Sequence, residues 1–561
     1  MPLHPMTAAY SEPIVTSVLR PDGKVNVGEP ADRYAKHALA DHQMFAAAGM
    51  LRTFAPAIAS SYSLAQWQTP VRDQHDRGTC YVFASVAALE AAYRRSFGLS
   101  LDLSEQYACQ LGKIGELYPD YATSTNPHES NTTLWGGQGN SGFLNVLCRC
   151  AIPLETAAPY LQQEQLIAIW TALGLPAFAP GADAPSQSVP QEQIDAFEFD
   201  EANVPTAARS QASYQGTGYT PINYGTADVE AAIASNHEVV LDITTNWSLD
   251  GNGVWQYDAN ANGQGHCVLV VGYDMDTQIF TFKNSWGGTS LSRMSYNCLQ
   301  NIACGATTLN GVVDPAVGPQ TSARWLGRWS TDNDGWRGTV VVRRVTDFRN
   351  ASASAATKLG NWYPTGESVP TVLDTGTRRD VNGSFGENGR QSSAWVALTT
   401  ARVVPGQPVG QPFNVYNFSW ESTAAAGVCT WNNLVYGVIA DRQPIAGTSG
   451  STSESGWIGS WDMDHDGWQG TLTITGLTTI PLGFLPPVTL VEASYKASDG
   501  TVSAVTGTVD AADSQHLQLT IDFPGNSQPF QLYKFSLEQD NAAGTTVWAG
   551  STFGVRLHKN A

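Results

Sequence analysis

The feature that most restricts this chain is a repeat. The run "WLGRWSTDNDGWRGTVVV" (Trp325 to Val342) returns 132 residues later as "WIGSWDMDHDGWQGTLTI" (Trp457 to Ile474). Trp325, Gly327, Trp329, Asp332, Asp334, Gly335, Trp336, Gly338 and Thr339 are identical in the second copy. The copies also close alike. "QPFNVYNFSWES" and "GVCTWNNLVYGV" align with "QPFQLYKFSLEQ" and "GTTVWAGSTFGV", now 117 residues apart, so the first copy holds fifteen extra residues in its middle. A recurring module of this length reads as a domain met twice, here 324–445 and 457–561, divided by the linker "AGTSGSTSESG".

Within each copy the signal is β. "GTLTITG", "HLQLTIDF", "FQLYKFSLE" and "TVWAGSTFGVRL" alternate with period two between Gly, Asp and Asn turns. Closing such a meander into a small barrel removes its sheet edges, so two all-β small barrels are expected. Their opening Gly-x-Trp and strand order resemble avidin-like or lipocalin-like barrels, a likeness of fold that names no ligand. The stretch Asp462-Met463-Asp464-His465-Asp466-Gly467 begins with calcium-loop spacing, but the twelfth position holds Thr473, and a polar hairpin turn accounts for it better. Trp329, Trp336, Trp461 and Trp468 are expected in the barrel cores, with a sugar-binding surface as the alternative.

The remaining residues divide at about 61. Residues 1–61 form an N-terminal extension, either a removable pro-segment or a structural arm, and 62–315 form one domain with helical signals first and strands second. An insertion is expected at about 161–212, with Phe178–Gln193, rich in Pro, Ala and Ser, as a surface loop. The formal charge of −20 argues against nucleic acid, which needs a basic face. No run of eighteen apolar residues suggests a membrane span, and the N-terminus lacks the pattern of an ordinary signal peptide. Compartment is thus left open between export by another route and the cytoplasm. Eight cysteines at irregular spacing make neither a disulfide scaffold nor a zinc site, and no cofactor or metal is expected.

Two stretches carry chemistry. After Gly78-Thr79 the run "CYVFASVAALEAAYRRSFG" predicts a helix with Cys80 on its first turn and Gly98 as its stop. A thiolate there faces unpaired N–H groups and the positive end of the helix dipole, which lower its pKa. Further on, "GHCVLVVGYDMDTQIFTFKNSWGG" (Gly265 to Gly288) predicts two strands joined near Met275, which sets residue 266 opposite 284. An amide oxygen on Asn284 would then hold one nitrogen of His266 and turn the other toward a thiol.

At these residues the sequence resembles the papain family of cysteine peptidases. "TPVRDQHDRGTCYVFAS", "LSEQYAC", "WGG", "GHCVLVVGY" and "KNSWGG" stand in that family's order at compatible separations. The resemblance implies an α+β papain-like fold with a helical left part and a β-rich right part. It assigns Cys80 as nucleophile, His266 as base and acid, Asn284 as its orienting amide and Gln74 as the side-chain donor of an oxyanion hole. It further assigns Trp286 as the shield of the His–Asn pair, and Gly136 and Gly137 as the place where substrate backbone pairs. The expected substrate is a protein or peptide.

The chain also departs from the family. Arg77 and Leu134 stand where a disulfide pair is usual, which leaves the "HDRG" loop dependent on hydrogen bonds. Cys109 with Cys148 or Cys150, and Cys298 with Cys304, are either disulfides or buried thiols. Cys267 adds an unusual second thiol beside His266. The same dyad would serve transamidation or deamidation. A further alternative is an inactive papain-like scaffold whose barrels bind an unknown ligand or partner.

Overall fold

The helix after Gly78 runs Cys80–Phe97 and stops at Gly98, whose φ of 69° is left-handed. Every residue from Cys80 to Tyr93 is buried, because the helix is central and packs on both sides. In this computed structural model the described residues are 16–19, 25–28, 30–56, 59–113, 140–177, 191–315, 325, 327–342, 357–364, 379–387, 394–404, 407–419, 423–431, 433–442, 445, 456–482, 485–510 and 513–560. They divide into two units, Met1–Pro319 and Gln320–Ala561.

In the first unit β1 (Thr16–Leu19) and β2 (Val25–Gly28) make a small ribbon, followed by helix α1 (Ala31–Ala47). The central helix is α2 (Cys80–Phe97), and α3 (Glu105–Leu111) packs beside it. A nine-stranded sheet follows. Its strands are β3 (Ser61–Ser63), β4 (Gly216–Pro221), β5 (Val239–Thr244), β6 (Trp247–Leu249), β7 (Val254–Tyr257), β8 (Gly265–Asp274), β9 (Ile279–Lys283), β10 (Ser292–Ser295) and β11 (Ala303–Val312). They lie in the order β4-β11-β5-β8-β9-β10-β7-β6, with β3 pairing on β8. The papain-like arrangement of a helical part facing a β-rich part is thus present. Within the segment expected as an insertion, the described residues include helices. Helices Gln163–Ala172 and Gln191–Glu198 bury Leu166, Trp170, Leu175 and Phe197 against one another, so Gln191–Gln193 begin a helix; residues 178–190 lie outside the described residues.

One register differs from expectation. In the β8–β9 hairpin Val270 pairs with Phe282 and Asp274 with Ile279. The turn is longer than a fold at Met275, because Asp274 accepts hydrogen bonds from the backbone of Asp276 and Thr277 and Gln278 closes the turn with φ 55°. A bulge between Val270 and Gly272 offsets the ladder once more. Continued, this register puts Trp286, not Asn284, across from His266.

The second unit holds two closed barrels, each an eight-stranded antiparallel meander. In the first, Gly327–Asn333 closes on Leu434–Asp441; in the second, Gly459–His465 closes on Ser551–Lys559. The repeated Asp-x-Asp-Gly makes the hairpin turn. Asp334 and Gly335 have φ of 55° and 93°, Asp466 and Gly467 of 56° and 92°, as a type I′ turn requires. Asp332 accepts from the Gly335 N–H at 2.8 Å and Asp464 from the Gly467 N–H at 2.9 Å. Trp329 and Trp461 are core residues, each donating its indole N–H at 2.9 Å to the carbonyl of Trp325 or Trp457. Trp336 and Trp468 are not core. They stand 69% and 62% exposed just beyond the turn, where the strand pleat points them outward.

Candidate active site

Cys80 is the first residue of α2, and its sulfur accepts the backbone N–H of Cys267, the residue after His266. His266 lies on β8, wholly buried, and its Nε2 donates to Asn284 Oδ1 at 2.8 Å. The same oxygen accepts the Ser285 N–H at 2.9 Å, which fixes the amide's orientation. His266 reaches Asn284 diagonally, since the register sets Trp286 across the sheet. The Trp286 indole consequently stacks on the imidazole, ring centres 4.8 Å apart at 24°. Trp247 meets Trp286 edge-on at 6.0 Å. Trp247 and Trp286 thus form an aromatic wall beside the His266–Asn284 hydrogen bond.

Gln74 is held from three sides. Its N–H donates to the Ser285 carbonyl at 2.8 Å, its Nε2 to the Arg77 carbonyl at 2.7 Å, and its Oε1 accepts the Ser285 hydroxyl. Arg77 replaces covalent bracing of this loop. It donates to Gln106 Oε1 at 2.7 Å and to the Leu161 carbonyl at 2.6 Å, and lies over the Tyr160 ring at 4.6 Å. The Tyr160 hydroxyl in turn donates to the Gln74 carbonyl at 2.9 Å. All eight cysteines are thiols, so neither of the two alternative bridges is formed. Gly136, Gly137 and Leu134 lie outside the described residues.

A buried ionic group locks the helical part to the sheet. Lys283, next to Asn284, donates to Thr69 Oγ1 at 2.8 Å and lies 3.9 Å from Glu90 of α2. Glu90 also accepts the Thr69 hydroxyl and the Leu103 N–H. Burial pushes the Glu90 and Glu105 carboxyls up and the Lys283 ammonium down, while the charges of the Glu90–Lys283 pair oppose this.

What covers the site has no local signature. Tyr34 of α1 packs on Gly265, where a Cβ would fall 2.1 Å from the tyrosine ring. Its hydroxyl donates at 2.8 Å to Asp242 on β5, which also accepts the Ser141 N–H and hydroxyl. Pro30 bridges to Gln264. Burial pushes the Asp242 carboxyl up to about 6 against hydrogen bonds from Ser141, Tyr34 and the Cys267 thiol. A charge in the apolar run "EVVLDITT" marks Asp242 as unusual; nothing in the sequence marks Tyr34. The enclosure also reverses an expectation. Burial pushes the Cys80 thiol up to about 12, outweighing the N–H groups of Cys267 and Tyr81. With the site closed the sulfur is therefore neutral. Among the described residues no cluster of His, Cys, Asp and Glu could hold a metal ion.

The family model "Papain family cysteine protease" matches residues 60–309. Cathepsin K of Gallus gallus is 27% identical over 223 residues, 39% of this chain and 52% of that protein. The thiol protease aleurain of Arabidopsis thaliana is 22% identical over 225 residues, 39% of this chain and 49% of its own. The chain thus spans about half the length of the curated relatives it matches. Among solved structures, xylellain, a cysteine protease from Xylella fastidiosa, shares 19% identity over 46% of this chain and 91% of its own, with a TM-score of 0.32. Residues 60–309 are thus similar to the papain family of cysteine proteases.

Proposed function

We propose that residues 62–315 are a cysteine peptidase acting on protein or peptide substrates, with Cys80 as nucleophile, His266 as base and acid, and Asn284 as the orienting amide. The observation that carries this reading is the His266–Asn284 hydrogen bond under Trp286, beside a cysteine at the start of α2. In the reaction the Cys80 thiol passes its proton to His266, and the sulfur attacks the scissile carbonyl. The oxyanion is met by the Cys80 N–H and the Gln74 amide, a contribution of about 3–4 kcal/mol per donor in comparable hydrolases. His266 protonates the leaving amine, then takes a proton from the water that cleaves the thioester. Gly136 and Gly137 are assigned to pairing with substrate backbone, where a side chain would obstruct it.

The closed site belongs to the same reading: the extension 1–61 is an inhibitory segment, and withdrawal of Tyr34 rehydrates Cys80 and restores its acidity. The test is labelling by a biotinylated epoxysuccinyl reagent, with Cys80→Ala and His266→Ala as controls. Modification confined to Cys80 and lost in both variants is expected. A Cys80 that stays unlabelled after residues 1–47 are removed would refute catalysis.

A further inference from the structure

The two barrels touch through contacts that occur twice. Asp334 of the first accepts the backbone N–H of Ser536 of the second at 2.6 Å, and also its hydroxyl. Asp466 of the second accepts the N–H of Ser419 of the first at 2.7 Å. By the repeat alignment Asp466 is the twin of Asp334, and Ser536 of Ser419.

The apolar centre follows the same rule. A Cβ on Gly437 would lie 2.9 Å from the Ala543 carbonyl, and one on its twin Gly554 would lie 2.3 Å from the carbonyl of Ala426, the twin of Ala543. Both alanines and the twin pair Phe418 and Phe535 are fully buried, yet none belongs to the clusters that fill the barrel interiors. Such outward residues are buried only because the neighbouring barrel covers them. Each end is also clasped by an arginine joining an aspartate of its own turn motif to an acid of the other barrel, although the two arginines are not twins, Gln469 and Ile439 standing at the equivalent positions. Arg337 joins Asp332 to Glu538, and Arg556 joins Asp464, at 3.2 Å, to Asp441, at 3.0 Å. Contact of residue i with j together with j with i is the mark of a two-fold, isologous interface.

We infer that this face of the repeat is a self-complementary docking surface whose partner is a second copy of the same repeat, and that the tandem barrels are an internal pseudo-dimer. The calcium-like spacing of the turn finds its use here. The first aspartate of each Asp-x-Asp-Gly folds the hairpin and holds the clasp, while the second reaches across to a serine of the other barrel.

The test uses the whole chain with a specific protease site placed in the 446–455 linker. After cutting, the 456–561 barrel is expected to co-elute with the remainder at 10 µM. Gly437→Val and Gly554→Val, whose Cβ would meet the opposite barrel first, should each raise the dissociation constant at least tenfold and by similar factors. Asp334→Ala with Asp466→Ala is the second variant should valine disturb a strand, with near-ultraviolet dichroism of the buried tryptophans as the check on folding. The barrel separated from the cut native protein and concentrated to 100 µM should elute as a dimer. A cut wild type that falls apart at 10 µM, two glycine variants and the aspartate double variant that all bind unchanged, or a released barrel that stays monomeric would each overturn the inference.

Discussion

Replacing Tyr34 should open the site by a factor that follows from its contacts. The hydroxyl donates to a buried carboxylate at 2.8 Å, a charge-assisted bond worth about 1.5–3 kcal/mol once its loss leaves Asp242 short of a donor. Tyr34→Phe keeps the ring on Gly265 and removes only this term. At about 1.4 kcal/mol per decade, the open fraction should rise about ten- to hundredfold. Tyr34→Ala also loses the buried ring, about 3–5 kcal/mol more, so opening should rise by at least about a thousandfold until the reagent's own chemistry limits the rate. The assay is the second-order rate of Cys80 modification, followed by mass spectrometry, which tracks the open population when opening is rare and reversible. The chain lacking residues 1–47 sets the ceiling. If the ceiling far exceeds wild type while both Tyr34 variants label at the wild-type rate, Tyr34 is not the latch. If the ceiling equals the wild-type rate, α1 does not close the site.

Asp242 titrates at about 6 when folded, above its ordinary 3.8, so the folded state holds the extra proton. Its contribution is therefore lost as pH rises from about 4 to 6, a change of about 3 kcal/mol. Asp242→Asn should flatten that slope in hydrogen exchange of β5. His465 in the second barrel has the opposite sign: burial lowers it from 6.5 to about 4, so stability present above pH 6.5 is lost as pH falls to 4, again by about 3 kcal/mol. His465→Phe, among Tyr495, Phe523 and Phe530, should remove this acid sensitivity in hydrogen exchange of that barrel. Glu90→Ala leaves Lys283 buried without its partner carboxylate and should destabilise the papain-like domain by about 3–5 kcal/mol, read by denaturant titration. Trp461→Ala should cost about 3–5 kcal/mol and Trp336→Ala within about 0.5 kcal/mol, compared by thermal melting.

What could be read from the sequence was local or repeated. The α2 helix and its Gly98 stop follow from apolar spacing and one residue's freedom at positive φ. The barrels follow from alternation seen twice. The β8–β9 register was misplaced because side-chain hydrogen bonds from Asp274 lengthen the turn and a bulge shifts the ladder, neither of which alternation encodes. Trp336 and Trp329 look equal as letters, and only the pleat separates an exposed indole from a core one. Tyr34 was illegible, since its meaning depends on a glycine 231 positions away that leaves room for its ring. The thiol of Cys80 was misjudged for a related reason. A helix terminus acts within one turn and can be read locally, whereas desolvation sums over everything that covers the sulfur.

Closure of the barrels bears on how the C-terminal region behaves when crowded. Tandem β modules grow into fibres in two ways: a strand adds to an open edge, or a head-to-tail contact repeats without end. Each barrel here hydrogen-bonds its first strand to its last and offers no edge within its ring. A pairing face that meets its own twin ends the series at two. Among the described residues the barrels therefore present neither route to polymerisation, and the overall charge of −20 adds repulsion between chains.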